Sequence, residues 1–240
     1  MTIENIQVLS GPNYWSLRPC IQMRLDIGQL EKRPTSKLDQ FYERLKKTLP
    51  SLYDHRCSIG TPGGFFERVK DGTWMGHVVE HVALELQTLA EMDTGFGRTR
   101  ETQTTGVYNV VFSYVVSEVG RRAAKLSVKF CENLIDDEDP KLNDIILELK
   151  ELREEYKMGP STSSIVDEAV KRGIPFFRLN RGSLVQLGYG KNQERIRATM
   201  TGQTGSLAVD FAQDKWETKS LLENHGIPVP KGIETSRYKS

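Results

Sequence analysis

GVYNVVFSYVV (residues 106–116), followed without a break by SEVGRRAAKLSVKFCENLI (Ser117–Ile135), decides the class of this fold. The first part is dense in Val, Tyr and Phe and free of Pro, the composition of a half-buried strand. Ser117 is a candidate helix cap, and the residues after it carry apolar side chains at the spacing of a long amphipathic helix. A strand that passes directly into a helix predicts a mixed chain. Upstream, IENIQVL (residues 3–9) and CIQMRLDI (residues 20–27) alternate apolar positions (Ile3, Ile6, Val8, then Ile21, Met23, Leu25, Ile27) and predict two more strands. The turn-rich SGPNYW lies between them. After Pro34, the positions Leu38, Phe41, Leu45 and Leu49 recur at helical spacing until Pro50 ends the run. Downstream, an acidic link (DDEDP) leads to a further helix, and Gly159-Pro160 breaks it. These features predict an α+β domain over residues 1–159.

Residues 160–240 change character. Ser161 reads as the cap of a helix ending at Gly173, and IPFFRL, SLVQLGYG and QERIRATM are short β-prone pieces. A last helix over residues 214–225 stops at Gly226, before IPVPKG and the polar tail ETSRYKS. This pattern predicts an incomplete α/β segment.

Lys plus Arg (33) nearly balances Asp plus Glu (32), so no bulk field calls for nucleic acid or an anionic membrane. No apolar stretch approaches a membrane span, and the N-terminus has no signal-peptide pattern. Cys20, Cys57 and Cys131 are odd in number and widely spaced, which predicts thiols in a reducing cytoplasm rather than a disulfide framework or thiolate metal site.

The chemistry concentrates in MGHVVEHVALELQ (residues 75–87). With His77 at zero on a helical wheel, Glu80 falls at roughly −60°, His81 at roughly 40° and Glu85 at roughly 80°, while Val79, Val82, Ala83, Leu86, Leu89 and Ala90 lie opposite or beside that face. Two histidines at i and i+4 can share one Zn²⁺, and Glu80 stands where a general base would act. The HxxEH order is that of the inverzincins. The rival reading is a polar, solvated helix face with no metal. A third ligand is needed. Glu118, from a separate helix, is expected to close the site more naturally than Glu85, which stacks in line along the same helix. Arg98, Arg100 and Glu101, in a glycine-flanked loop (GFGRTRET), are candidate grips for carboxylates and guanidiniums. Residues 60–64 (GTPGG) lack the ending of a P-loop and read as a turn. Tyr14, Trp15 and Trp74 read as core or pocket wall. His55, beside Cys57, has no orienting third group at a known spacing and reads as incidental, and His225 reads as a helix C-terminal cap.

GPNYWSLR, GGFFERVKDGTWMGHVVEHVALELQ, GFGRTRET, GPSTSSIVDEAVKRGIPFFRL and the run LVQLGYGKNQERIRATMTGQTGSLAVDFAQDKWETKSLLENHGIPVPKG together resemble the cyanophycin synthetase family. The resemblance spans about residues 6–232. It implies an amino-terminal domain followed by the opening of an ATP-grasp ligase domain, whose remainder and a Mur-ligase-like domain are not in this sequence. It also implies Lys215 as a nucleotide-phosphate contact, with ATP and Mg²⁺ used only by a full-length relative, and multimeric full-length enzymes. The implied partner is cyanophycin, an aspartate backbone with arginine on each side-chain carboxyl. In some members of the family the amino-terminal domain resembles a zinc metallopeptidase that cuts the polymer into primers. The expectation is therefore a Zn²⁺ site of His77, His81 and Glu118 with Glu80 as base, against the alternative of a polymer-docking module with an inert histidine face.

Overall fold

The computed structural model describes residues 1–233, so the polar tail over 234–240 lies outside the described residues. The chain separates into two compact units, one from Met1 to Met158 and one from Gly159 onward. The architecture is mixed α and β, with two small antiparallel sheets and, among the described residues, eight α-helices.

The first sheet holds β1 (Thr2–Leu9), β2 (Cys20–Asp26), β3 (Gly97–Glu101) and β4 (Val107–Ser113) in the order β1-β2-β4-β3. β2 and β4 are central: β4 is buried at every residue but Asn109, whereas β2 buries its apolar positions Cys20, Ile21, Met23 and Leu25 and leaves Gln22, Arg24 and Asp26 half-buried. From β4 the chain passes through Tyr114–Val116 into α4 (Ser117–Ile135), as the opening stretch predicts. α4 packs on α3 (Met75–Leu89), on α5 (Leu142–Tyr156) and on β1 and β2. The helix expected after Pro34 is divided: a 3₁₀ turn (Thr35–Lys37) precedes α1 (Phe41–Thr48). Leu38, Phe41, Leu45 and Leu49 nonetheless all point into the core, so the spacing located the apolar face correctly.

Two local structures depart from the sequence reading. GRTRE, expected as loop, is the edge strand β3. Its polar composition hides it from an apolar-alternation test, because only its inner side is paired. Ser113 N–H donates to Phe96 O (2.8 Å) and Thr102 N–H donates to Val107 O (2.9 Å), so the even-numbered residues between them bond to β4. Gly97, Thr99 and Glu101 turn their backbone groups towards the open edge. The glycine run at 60–64 is also more than a turn. It leads into α2 (Gly64–Asp71), and a Cβ on Gly64 would lie 2.3 Å from Arg56 O. Only glycine lets the Arg56–Cys57 segment lie so close to the start of that helix.

The second unit contains α6 (Pro160–Lys171), a sheet of β5 (Phe176–Arg178), β6 (Leu184–Leu187), β7 (Glu194–Arg197) and β8 (Met200–Thr201), then α7 (Ser206–Gln213) and α8 (Lys215–Asn224). Its sheet is antiparallel in chain order. Gly159, with Pro160 in the first turn, caps α6 in place of the expected Ser161. Asp214 caps α8 by accepting from Trp216 and Glu217 N–H at 2.9 and 2.8 Å. Among the described residues no helix is long and apolar enough to cross a membrane.

Candidate metal centre

The helical face read from residues 75–87 does converge, but it is not solvated. Glu80, His81 and Glu85 are 4, 8 and 4% exposed, lodged between α3, β3 and the segment before α2. Thr99 of β3 donates to Glu80 Oε2 at 2.6 Å, and Glu80 Oε1 lies 3.9 Å from His81 Nε2. Gly97 leaves the room for this carboxylate, since a Cβ there would sit 2.3 Å from Glu80 Oε1. His77 stands between Thr73 Oγ1 (3.1 Å from Nδ1) and Cys57 Sγ (3.2 Å from Nε2). Its ring meets that of His81 edge-on, with centroids 4.7 Å apart, and Phe65 packs on His81 at 4.4 Å.

Cys57, His77 and His81 each bring one donor atom to within 4.8 Å of the other two. Zn–N and Zn–S bond lengths put neighbouring donors of a tetrahedral site roughly 3.3–3.6 Å apart, so this set fits a zinc ion with little movement. A thiolate and two imidazoles are also the donor types zinc prefers. The donor atom that the fold brings beside the two histidines is thus that of Cys57, and Glu118, the ligand expected from the sequence, is not among this group. Glu118 sits in the first turn of α4, beyond the end of β4, where its carboxylate accepts from Ser117 Oγ at 2.6 Å. It does not line the cavity around the histidines. Glu85 also lies outside the donor set, because its carboxylate is bonded to His55 Nε2 at 2.8 Å. His55 is not incidental, for its Nδ1 lies 2.8 Å from His81 Nδ1.

Burial governs the protonation of these groups. It pushes the Glu80 carboxyl up to about 7, against the opposing pull of Thr99, Arg100 and Arg98. It pushes the His77 imidazole down to about 4, with Arg68 adding to the effect. His81 is held well below the usual histidine range by burial and by its two neighbouring histidines, so both candidate ligand rings are neutral near pH 7. Burial alone would raise Glu85, yet hydrogen bonds from His55 and Ser51 outweigh it and hold the carboxyl low.

The cluster opens into a cavity of about 720 Å³ lined also by Arg56, Arg68, Arg98, Arg100, Trp74 and Tyr108. Arg98 and Arg100, candidates from the sequence, line this cavity together with Arg56 and Arg68, which the sequence reading did not single out. Glu101 lies at the end of β3 opposite Tyr108 and outside the cavity wall. Of the aromatics expected as core or wall, Trp74 lines the cavity, Trp15 bonds Gln22 at 2.7 Å, and Tyr14 is 93% exposed. Lys215 belongs to the second unit, in the first turn of α8, beside a shallow depression with Lys219 and Trp216. His225 is at the C-terminal end of α8, its Nδ1 2.8 Å from Leu221 O.

Comparison with known proteins gives a consistent picture. Residues 22–136 match the family model described as the cyanophycin synthase-like N-terminal domain. The chain is 51% identical over 237 residues to the cyanophycin synthetase of Geminocystis herdmanii, covering 97% of this chain and 27% of that protein. It is 52% identical to that of Trichormus variabilis, covering 97% and 26%. Identity to that of Synechocystis sp. is 49%, covering 97% and 27%. The chain spans about a quarter of the length of these curated relatives.

Proposed function

We propose that this chain, whose residues 22–136 match the cyanophycin synthase-like N-terminal domain, binds cyanophycin and cuts it by zinc-dependent hydrolysis of the peptide backbone. The observation that carries the reading is the convergence of Cys57, His77 and His81 within 4.8 Å beside the buried Glu80, at the floor of an arginine-lined cavity. A zinc ion held by these three side chains would act as a Lewis acid on the scissile carbonyl. The chain's own residues supply the rest. Glu80 is the proton carrier: it takes a proton from the attacking water as the C–O bond forms, then gives it to the amide nitrogen as the C–N bond breaks. A carboxyl pushed to about 7 by burial suits both transfers near neutral pH. Thr99 fixes the carboxylate by its hydrogen bond to Oε2, leaving Oε1 on the His81 side. Arg56, Arg68, Arg98 and Arg100 outnumber the carboxylates Asp54 and Glu80 on the cavity wall, so the polymer's free carboxylates meet a net positive surface.

The second unit extends the proposal to the longer relatives. Residues 160–240 would be the opening of an ATP-grasp ligase unit in which Lys215 contacts nucleotide phosphate, the remainder of the ATP and Mg²⁺ site lying in sequence this chain does not contain. Polymer synthesis would then belong to the full-length enzyme and primer formation to the zinc site.

Incubation of the zinc-loaded chain with cyanophycin, followed by gel analysis of polymer length, tests the reading. Shortening is expected, and Glu80→Gln should retain zinc while losing cleavage by roughly a hundredfold or more. The arginine-lined wall also supports a second reading, a docking module without catalysis. Polymer that binds the zinc-loaded chain but keeps its length would select it.

A further inference from the structure

Two hydrogen bonds behind the candidate metal centre have a direction that fixes the chemistry in front of it. Glu85 Oε2 lies 2.8 Å from His55 Nε2, and His55 Nδ1 lies 2.8 Å from His81 Nδ1. A carboxylate only accepts, so His55 Nε2 carries the proton and donates it. A neutral imidazole has one N–H, which leaves the His55 Nδ1 lone pair facing His81. His81 must then donate from Nδ1, and its Nε2 is left with a free lone pair. That nitrogen is the one on the Glu80 side, 3.9 Å from Oε1, and it is the only donor His81 can offer to the cluster with Cys57 and His77. On His77, Thr73 Oγ1 at 3.1 Å gives Nδ1 a partner of the same kind, and Nε2 faces Cys57 Sγ.

We infer that Glu85 and His55 form a positioning relay, which holds His81 as its Nδ1–H tautomer and thereby sets the affinity of the Cys57, His77, His81 cluster for zinc. The relay rests on the zinc reading proposed above. Its placement argues against a merely structural pair. Glu85 is 4% exposed on a helix whose neighbouring turns bury Val82, Ala83 and Leu86, a setting where an apolar residue would pack without a desolvation cost. The cost is offset only if the carboxylate has a task. His55 comes from the segment after α1, so the relay also ties the loop that carries Cys57 to the helix that carries both histidines.

Nitrogen-15 NMR of the histidine side chains in the metal-free chain reads the tautomer directly, and a competition titration with a zinc chelator reads the affinity. His81 should be protonated at Nδ1 in the wild type. Glu85→Leu and His55→Phe should lose that preference and weaken zinc binding roughly 10–100-fold. Glu85→Gln keeps an acceptor for His55 Nε2–H and should stay within about a few fold of wild type. A proton found on His81 Nε2 in the wild type overturns the relay, and that measurement needs no variant to fold. Wild type that binds zinc, with Glu85→Leu and His55→Phe binding equally well, also overturns it while leaving the hydrolase reading intact. Wild type that binds no zinc, despite an Nδ1–H tautomer, sinks the hydrolase reading and removes the relay's purpose with it.

Discussion

A methyl group at position 97 would land 2.3 Å from Glu80 Oε1. Gly97→Ala should therefore leave the fold and the zinc content in place but push the carboxylate off its seat. Cleavage is expected to fall by about tenfold or more, the size of effect a 1 Å misplacement produces in a catalytic group. Initial rates at equal zinc loading check it. The identity of the third donor gives a second expectation: Cys57→Ser should weaken zinc binding by roughly a hundredfold or more, and Glu118→Gln should leave it unchanged. Equal losses in both variants would return Glu118 to the site. The contrast between these residues shows what a sequence can disclose. His77, Glu80 and His81 were legible because one helix carries all three and the helical period alone sets their face. Cys57 and His55 lie 20 and 26 residues from their histidine partners, in a segment with no period to read, and only the packing of α2 under Gly64 brings them in.

At the scale of elements, α3 is held from behind by α5. Lys150 and Arg153 bond Glu91 just past the end of α3 at 2.7 and 2.8 Å, and Arg153 also bonds Ala90 O at 3.0 Å. Those cations, the Lys150 hydrogen bond first, hold the Glu91 carboxyl down at about 2. A lowered carboxyl contributes stability that is complete above the unfolded value near 4.5 and lost as the pH falls towards 2. The melting temperature of wild type should thus exceed that of Glu91→Gln above pH 4.5, with the gap closing by pH 2. A gap independent of pH would assign the effect to packing instead. The elements themselves were unequally visible. β4 and α4 announce their type because both are buried and must be apolar in the right rhythm. β3 and α2 do not, since one is an edge whose pairing is made by backbone alone and the other is a short helix entered through two glycines.

For the molecule as a whole, every residue of the continuous hydrophobic core lies between Ile21 and Leu149, inside the first unit. A chain ending at Met158 is accordingly expected to fold cooperatively and to bind zinc as the longer one does, as judged by near-UV circular dichroism and metal analysis. Loss of both on truncation would place part of the stabilising contacts after Gly159. Phe112, fully buried on β4, should cost about 3–5 kcal/mol when replaced by alanine, enough to lower the denaturation midpoint of that unit markedly. The open edge of β3 carries a further consequence at this scale. An unpaired strand edge is a template on which a second copy of the same strand can assemble, the usual first step of sheet-to-sheet aggregation. Arg98 and Arg100 make that edge repel its own likeness, because two such strands brought together would set guanidinium against guanidinium. On the proposed reading the same row of charge would also offer that edge to the polymer's carboxylates, so the feature that guards against self-stacking would serve the binding of a polyanion as well.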